Sequence, residues 1–273
     1  TRKESSAASD VYKRQPVAHA GSGPGIPVPA ISAEHALFLD FDGTLVDIAQ
    51  TPDGVVLPTG LVQTLARLHE ALGGALGIIT GRPLDQVDHY LAPLVLAVAG
   101  EHGAVRRAAD GVLSNAPVPD LMRAIAAMDD FSRQHSGLMV ERKGHGLALH
   151  YRAAPDLGPA CLELANTLAA QQPGLVVLHG KAVVELKSAE VDKGRALAAL
   201  MQSAPFAGRR PLFVGDDTTD EAAIAVAQQL GGTGIKVGEG ASAAQARLAS
   251  PQAVLAYLQA AAQALAPQPQ AAS

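Results

Sequence analysis

Apolar residues follow two rhythms along this chain, and the change between them divides it. ALFLD (36–40) is a short run ending in an aspartate, the pattern of a strand buried on both faces. PTGLVQTLARLHEALG (58–73) sets Leu61, Leu65, Leu68 and Leu72 at helical spacing and stops at Gly73-Gly74. ALGIIT (75–80) predicts a second buried strand, PLDQVDHYLA (83–92) a helix opened by proline, and LVLAVAG (94–100) a third strand. Strand, helix, strand, helix, strand is the pattern of a doubly wound parallel sheet.

Then the rhythm shifts. DLMRAIAAMDDFSRQH (120–135) is helical, and GLMVERKGHGLALHYR (137–152) alternates about a turn at Gly144-His145-Gly146, which predicts a hairpin. DLGPACLELANTLAAQQ (156–172) predicts a helix, and GLVVLHGKAVVELKS (174–188) two more strands about Gly180. Helix, hairpin, helix, hairpin describes an antiparallel sheet with helices on one face, an α+β module inserted in the first. From about Asp192 the α/β pattern resumes: KGRALAALMQSA is helical, RPLFVGDD (210–217) a strand, TDEAAIAVAQQL (219–230) a helix and GIKVGEG (234–240) a strand. The expected organisation is a disordered tail at 1–33, core at 34–107, an inserted module at 108–185, core again at 186–262, and a frayed tail at 263–273. No internal repeat is visible.

Composition narrows the picture. Apolar residues make up 48% of the 273, but aromatics only 3% with no Trp, so the core must be built from Leu, Val, Ile and Ala. A net charge of −5 and a pI near 6.0 argue against a nucleic-acid partner, which calls for a basic face. An anionic substrate must then be met by a local cluster of Lys and Arg, or by a metal. The single cysteine, Cys161, rules out an internal disulfide and a cysteine-based zinc site, and in ACLELANTL it reads as a small core hydrophobe. No apolar run is long enough to span a bilayer, and the stretch before residue 34 lacks the apolar segment of a signal peptide. A cytoplasmic monomer without a membrane partner is expected.

Ligands of open α/β sheets bind at the carboxyl ends of the strands, and three such ends are notable. The first is Asp40-Phe41-Asp42-Gly43-Thr44, where alternation throws both aspartates to one side and Gly43 permits a sharp turn. The second is Thr80-Gly81-Arg82. A later one carries Asp216, Asp217, Asp220 and Glu221, and Lys193 opens a helix between them. Aspartates at strand ends are often mere helix caps or turn formers. Capping does not account for carboxylates at two separate ends of one sheet, which would repel unless a hard cation such as Mg2+ sat among them.

DFDGT, then Thr80-Gly81-Arg82, then Lys193-Gly194, then GDDTTDE (215–221), in that order on an α/β chain, resemble the four motifs of the haloacid dehalogenase (HAD) superfamily. The likeness covers the chain from about Ala36 to Leu258. It implies a Rossmann-like doubly wound core with Asp40 as the nucleophile that forms an aspartyl-phosphate and also binds Mg2+. It implies Asp42 as general acid and base, with its backbone carbonyl on the metal. Thr80 would bond the phosphoryl group, Lys193 would neutralise its charge, and Asp216 would complete the metal shell. Asp217 and Asp220 would support it or orient Lys193. The chemistry is consistent with this: a carboxylate attacks phosphorus only when phosphoryl charge is neutralised, and one acid–base residue serves both half-reactions.

The inserted module lies between the Thr80 and Lys193 motifs, which resembles the placement of the superfamily's C2-type cap domain. LDFDGTLVDIAQTPD, AGEHGA (99–104), ERKGHGLALHYR (141–152), GKAVVELK (180–187) and FVGDDTTDEAAI (213–224) are similar to the trehalose-6-phosphate phosphatases. That resemblance implies release of phosphate from trehalose 6-phosphate. Lys143, His145, Lys181 and Glu185 would contact the distal glucose, with Gly81, Arg82, Glu101 and His102 binding substrate from the core side. Glu141, Lys143 and His145 share one strand parity and Arg142 the other, so a single set faces the cleft. The alternatives are a phosphatase or phosphomutase for another sugar phosphate, or an idle sugar-phosphate-binding regulatory domain.

Overall fold

A computed structural model describes residues 26–49, 51, 54–180 and 182–266. In chain order the core opens with β1 (His35–Leu39), α1 (Leu61–Ala71), β2 (Leu76–Ile79), α2 (Leu84–Leu91) and β3 (Ala97–Gly100). A short hairpin, β4 (Val105–Arg107) and β5 (Leu113–Asn115), follows. The second unit comprises α3 (Met122–Gln134), β6 (Met139–Lys143), β7 (Gly146–His150), α4 (Gly158–Gln171), β8 (Leu175–Gly180) and β9 (Val183–Ser188). The chain returns through α5 (Lys193–Leu200), β10 (Arg210–Gly215), α6 (Glu221–Gln229), β11 (Thr233–Val237), β12 (Ala246–Leu248) and α7 (Pro251–Ala264).

Two sheets result. The larger runs β12-β11-β10-β1-β2-β3-β4-β5, parallel from β12 to β3, with β4 and β5 antiparallel at the edge. Its middle strand β1 lies between β10 and β2 and is buried at all five residues, which explains a continuous apolar run in place of alternation. Phe38 stacks on Phe206 with ring centroids 4.9 Å apart, and the missing Cβ of Gly77 leaves room for the Phe38 ring on the neighbouring strand. The smaller sheet, β6-β7-β9-β8, is wholly antiparallel and covers its own apolar core with α3 and α4. Cys161 is buried in that second core.

Several boundaries differ from expectation. Residues 26–33 were expected in the N-terminal tail, yet Ile31 is buried, Ile26 N–H donates to Gln245 O, and Tyr257 donates to Pro29 O. These apolar and prolyl residues lie against β12 and α7. The boundary at residue 108 falls inside the β4–β5 hairpin, which pairs with β3 and so belongs to the large sheet. β9 runs on past residue 185 to Ser188, because Leu175 and Ser188 complete its register with β8. The last helix continues through Ala264, beyond the expected edge at 263. The rest of the two expected tails, 1–25 and 267–273, lies outside the described residues.

Candidate active site

The first strand end supplies Asp40, 4% exposed, whose N–H donates to Val214 O on β10. Phe41 turns into the core, and Gly43 adopts φ +78°, a conformation open to glycine at little cost. A Cβ on Gly43 would lie 2.1 Å from Asp216 Oδ2, so the glycine also admits the carboxylate of the β10 end. Asp192 caps α5 by accepting from Arg195 N–H at 2.8 Å, which fixes Lys193 in the first helical turn. Lys193, 3% exposed, donates to Asp40 Oδ1 at 2.8 Å and to Asp220 Oδ1 at 2.6 Å. Asp220 is fully buried, and its other oxygen accepts from Asp217 N–H at 2.9 Å. Asp217 in turn accepts from Thr218 N–H, a reciprocal cap that holds the loop.

Charge in this cluster does not balance. Carboxylate oxygens of Asp40, Asp216 and Asp220 lie within 4.8 Å of one another around one ammonium. Burial, and then the Asp220 charge, push the Asp40 carboxyl well above its ordinary range, against the pull of Lys193. The same two causes raise Asp216 to about 6. Burial alone would lower the Lys193 ammonium, but Asp220 and Asp40 outweigh it and hold the lysine charged. Asp216 Oδ1 is buried without a hydrogen-bond partner. Hard oxygen donors on Asp40 and Asp216, excess negative charge and one orphaned buried oxygen fit a Mg2+ ion, while both Asp220 oxygens are already engaged.

The remaining strand-end residues divide. Thr80 is buried, and its Oγ1 accepts from Arg82 N–H at 3.2 Å. Arg82 grips Asp42 with two donors, Nε to Oδ2 at 2.6 Å and Nη2 to Oδ1 at 2.7 Å, and lies against the Phe41 and Tyr90 rings. The Asp42 carboxylate is therefore tied to a guanidinium and lies outside the acidic cluster. Asp220 stands there in its place.

Across the cleft, Lys143 donates to Glu185 Oε1 at 2.7 Å and approaches Gly81 O at 3.5 Å, while His102 Nε2 donates to Glu185 Oε2 at 2.9 Å. Burial would raise the Glu185 carboxyl, but Lys143 and His102 outweigh it and hold it far below the usual range. A cavity of about 670 Å³ joins the two sides, with Asp40, Asp42, Thr80, Lys193 and Asp216 at one end and Glu141, Lys143, His150, Arg152 and Glu185 at the other. Glu141 and Lys143 do share the cleft face, whereas Arg142 pairs with Asp129 elsewhere.

Two expected substrate contacts lie apart from the residues that line this cavity. Glu101 and His145 do not line this cavity; Glu101 Oε2 accepts from His145 N–H at 2.8 Å, and the His145 ring donates to Ala116 O at 3.0 Å. His145 leaves the parity of β6 because it sits in the turn after the strand has ended. Lys181 lies outside the described residues. Sequence reasoning missed Lys236, which is buried on the cavity wall and donates to Asp216 O and, at 2.6 Å, to Val237 O. Its signal was a lysine inside the otherwise apolar GIKVG strand. It also missed the pair of His150 with Glu141 Oε2, 2.9 Å apart across β6 and β7.

A parallel sheet with acidic ends on β1 and β10 and a module inserted between β5 and α5 is a fold also seen in solved haloacid dehalogenase-like hydrolases. A solved Bacillus subtilis haloacid dehalogenase-like hydrolase overlays with a TM-score of 0.62 over 82% of this chain and 99% of that one, a likeness of fold at 16% identity. The trehalose-phosphatase family model matches residues 38–252. The trehalose-6-phosphate phosphatase of Escherichia coli is 42% identical over 233 residues, 85% of this chain and 88% of that protein. A probable trehalose-phosphate phosphatase of Sinorhizobium fredii is 42% identical over 220 residues, 80% of this chain and 83% of that protein. The chain belongs to the trehalose-phosphatase family.

Proposed function

We propose that the protein is a Mg2+-dependent phosphomonoesterase that hydrolyses trehalose 6-phosphate to trehalose and phosphate. The observation that carries this reading is the overcrowded cluster of Asp40, Asp216 and Asp220 around one Lys193. The reading fits the names of the relatives, and the second unit then serves as a cap over the site.

Asp40 attacks phosphorus, and the bond from phosphorus to the sugar oxygen breaks as the aspartyl-phosphate forms. Asp42 gives its proton to the departing sugar oxygen, then takes one from the water that attacks phosphorus and frees Asp40. For both steps Asp42 exchanges part of its contact with Arg82 for the reacting oxygen, and Arg82 holds the carboxylate at the cavity wall between them. Lys193 and the Thr80 hydroxyl meet the phosphoryl oxygens. Asp40, the Asp42 carbonyl and Asp216 would hold Mg2+, which would supply positive charge against the phosphoryl group. Lys143 and Glu185 offer donor and acceptor to sugar hydroxyls across the cavity, with His102 and Gly81 behind them.

Among the described residues no helix is long and apolar enough to cross a membrane. A cytoplasmic monomer is part of the proposal. Phosphate release from a panel of sugar phosphates, with Mg2+ and with EDTA, tests the whole reading. Selective, EDTA-sensitive turnover of trehalose 6-phosphate is expected. Equal turnover of glucose 6-phosphate, or phosphate returned to another position of the sugar, would overturn it.

A further inference from the structure

We propose that Glu101 is a positioning residue that fastens the cap turn between β6 and β7 to the core. Residues 101–103 are left-handed in succession: Glu101 at φ 49°, His102 at 58° and Gly103 at 104°. A side chain rarely accepts such a backbone, and strain of this kind persists only where surroundings impose it. Here Glu101 N–H donates to Arg82 O at 2.9 Å and His102 N–H to Thr80 O at 2.8 Å. At Gly103 a Cβ would come within 2.7 Å of the Ala196 methyl, so α5 closes the turn from behind.

The twist sends two neighbouring side chains toward the cap. Glu101 Oε2 accepts from His145 N–H at 2.8 Å, and its Oε1 packs against Gly144, where a Cβ would be 3.3 Å away. His145 Nδ1 lies 3.4 Å from the same carboxylate without a hydrogen bond to it. The same imidazole donates through Nε2 to Ala116 O, on the segment that leads into the cap. Glu101 and His145 are both nearly buried and are not among the residues that line the cavity. His102, beside Glu101, reaches Glu185 on β9. The position of the cap is thus written into a turn whose backbone also holds the carbonyls of Thr80 and Arg82.

The function of this tie is to keep the cap down before substrate arrives. A competent state populated less often raises the apparent dissociation constant in proportion. The kinetic half of this inference rests on the phosphatase reading; the structural half does not. The test uses the full chain without substrate, comparing wild type with Glu101→Ala and Glu101→Gln by amide hydrogen exchange, followed by steady-state kinetics on trehalose 6-phosphate. In Glu101→Ala the His145 amide should exchange at least about tenfold faster while Leu149 and Leu186 stay protected. KM should rise about tenfold with kcat changed less than about threefold. Glu101→Gln keeps an acceptor for the His145 amide and should recover most of both.

A raised KM with unchanged exchange in the free protein would make Glu101 a direct ligand and overturn the proposal. Faster exchange throughout β7 and β9 in both variants would make it a residue of general stability and would overturn the proposal equally. Failure of the wild type to turn over trehalose 6-phosphate would sink the phosphatase reading and leave the exchange result to decide the tie.

Discussion

At the core end of the cavity two carboxylates, Asp40 and Asp220, share one ammonium with a third, Asp216, close by; at the end lined by the second unit one carboxylate, Glu185, is shared by a lysine and a histidine. Both clusters are buried, and both contain Lys–carboxylate contacts near 2.7 Å. They respond to burial in opposite ways. Asp40 and Asp216 are pushed up, and Asp216 keeps an oxygen with no partner. Glu185 is held down, with both oxygens occupied. A satisfied cluster resists further partners, whereas one left with excess charge has the chemistry to accept a cation.

Substitutions should therefore split the two ends by sign. Asp40→Asn should lower kcat by about 10⁴-fold or more, through loss of the nucleophile, while raising Tm by relieving Asp220 and Asp216. A fall in Tm, measured calorimetrically without Mg2+, would break the contrast. Asp42→Asn should cost about 10²–10⁴-fold in kcat, as expected for a lost acid–base group, since Arg82 can retain its position on one oxygen. Lys143→Met should lower Tm, costing about 3 kcal/mol by leaving Glu185 buried with only His102 beside it. Unchanged stability in urea would show the cap pair to be ornamental.

The smallest effect concerns acid. Glu185 titrates in the folded protein below its ordinary value of 4.5, so its contribution is complete above that value and is lost as pH falls through the folded pKa. Between about pH 5 and 3 the Tm of wild type should fall more steeply than that of Glu185→Gln. Parallel curves would remove Glu185 from the account.

The core site was largely legible because buried strands carry so few polar residues. Asp40, Thr80 and Asp216 stand out at the ends of apolar runs, and a parallel sheet has one edge where such ends converge. Lys193 was legible through its motif. The pairing of Lys193 with Asp220 was not, since the loop after β10 offers three aspartates and only its folded turn selects one. The β4–β5 hairpin escaped because Leu113–Asn115 is exposed throughout and has no buried face to impose a period. β12 is three residues long, and α7 spreads alanine around its surface, which blurs its stripe. Glu101 and His145 were legible as polar residues of interest but not in their roles. Their meeting depends on a left-handed backbone that nothing in Glu-His-Gly dictates.

The two chain connections to the second unit pass close together. On the way in, Ala116 N–H donates to Ala104 O at 2.7 Å; on the way out, Asp192 O lies 3.2 Å from where a Gly103 Cβ would be. A rigid body tethered at two points can swing only about the line between them, and that line would run past residues 101–104. Displacement grows with distance from an axle, so a small rotation of the second unit would barely disturb the contacts beside Thr80 while carrying the far rims of β6 and β8 through the widest arc.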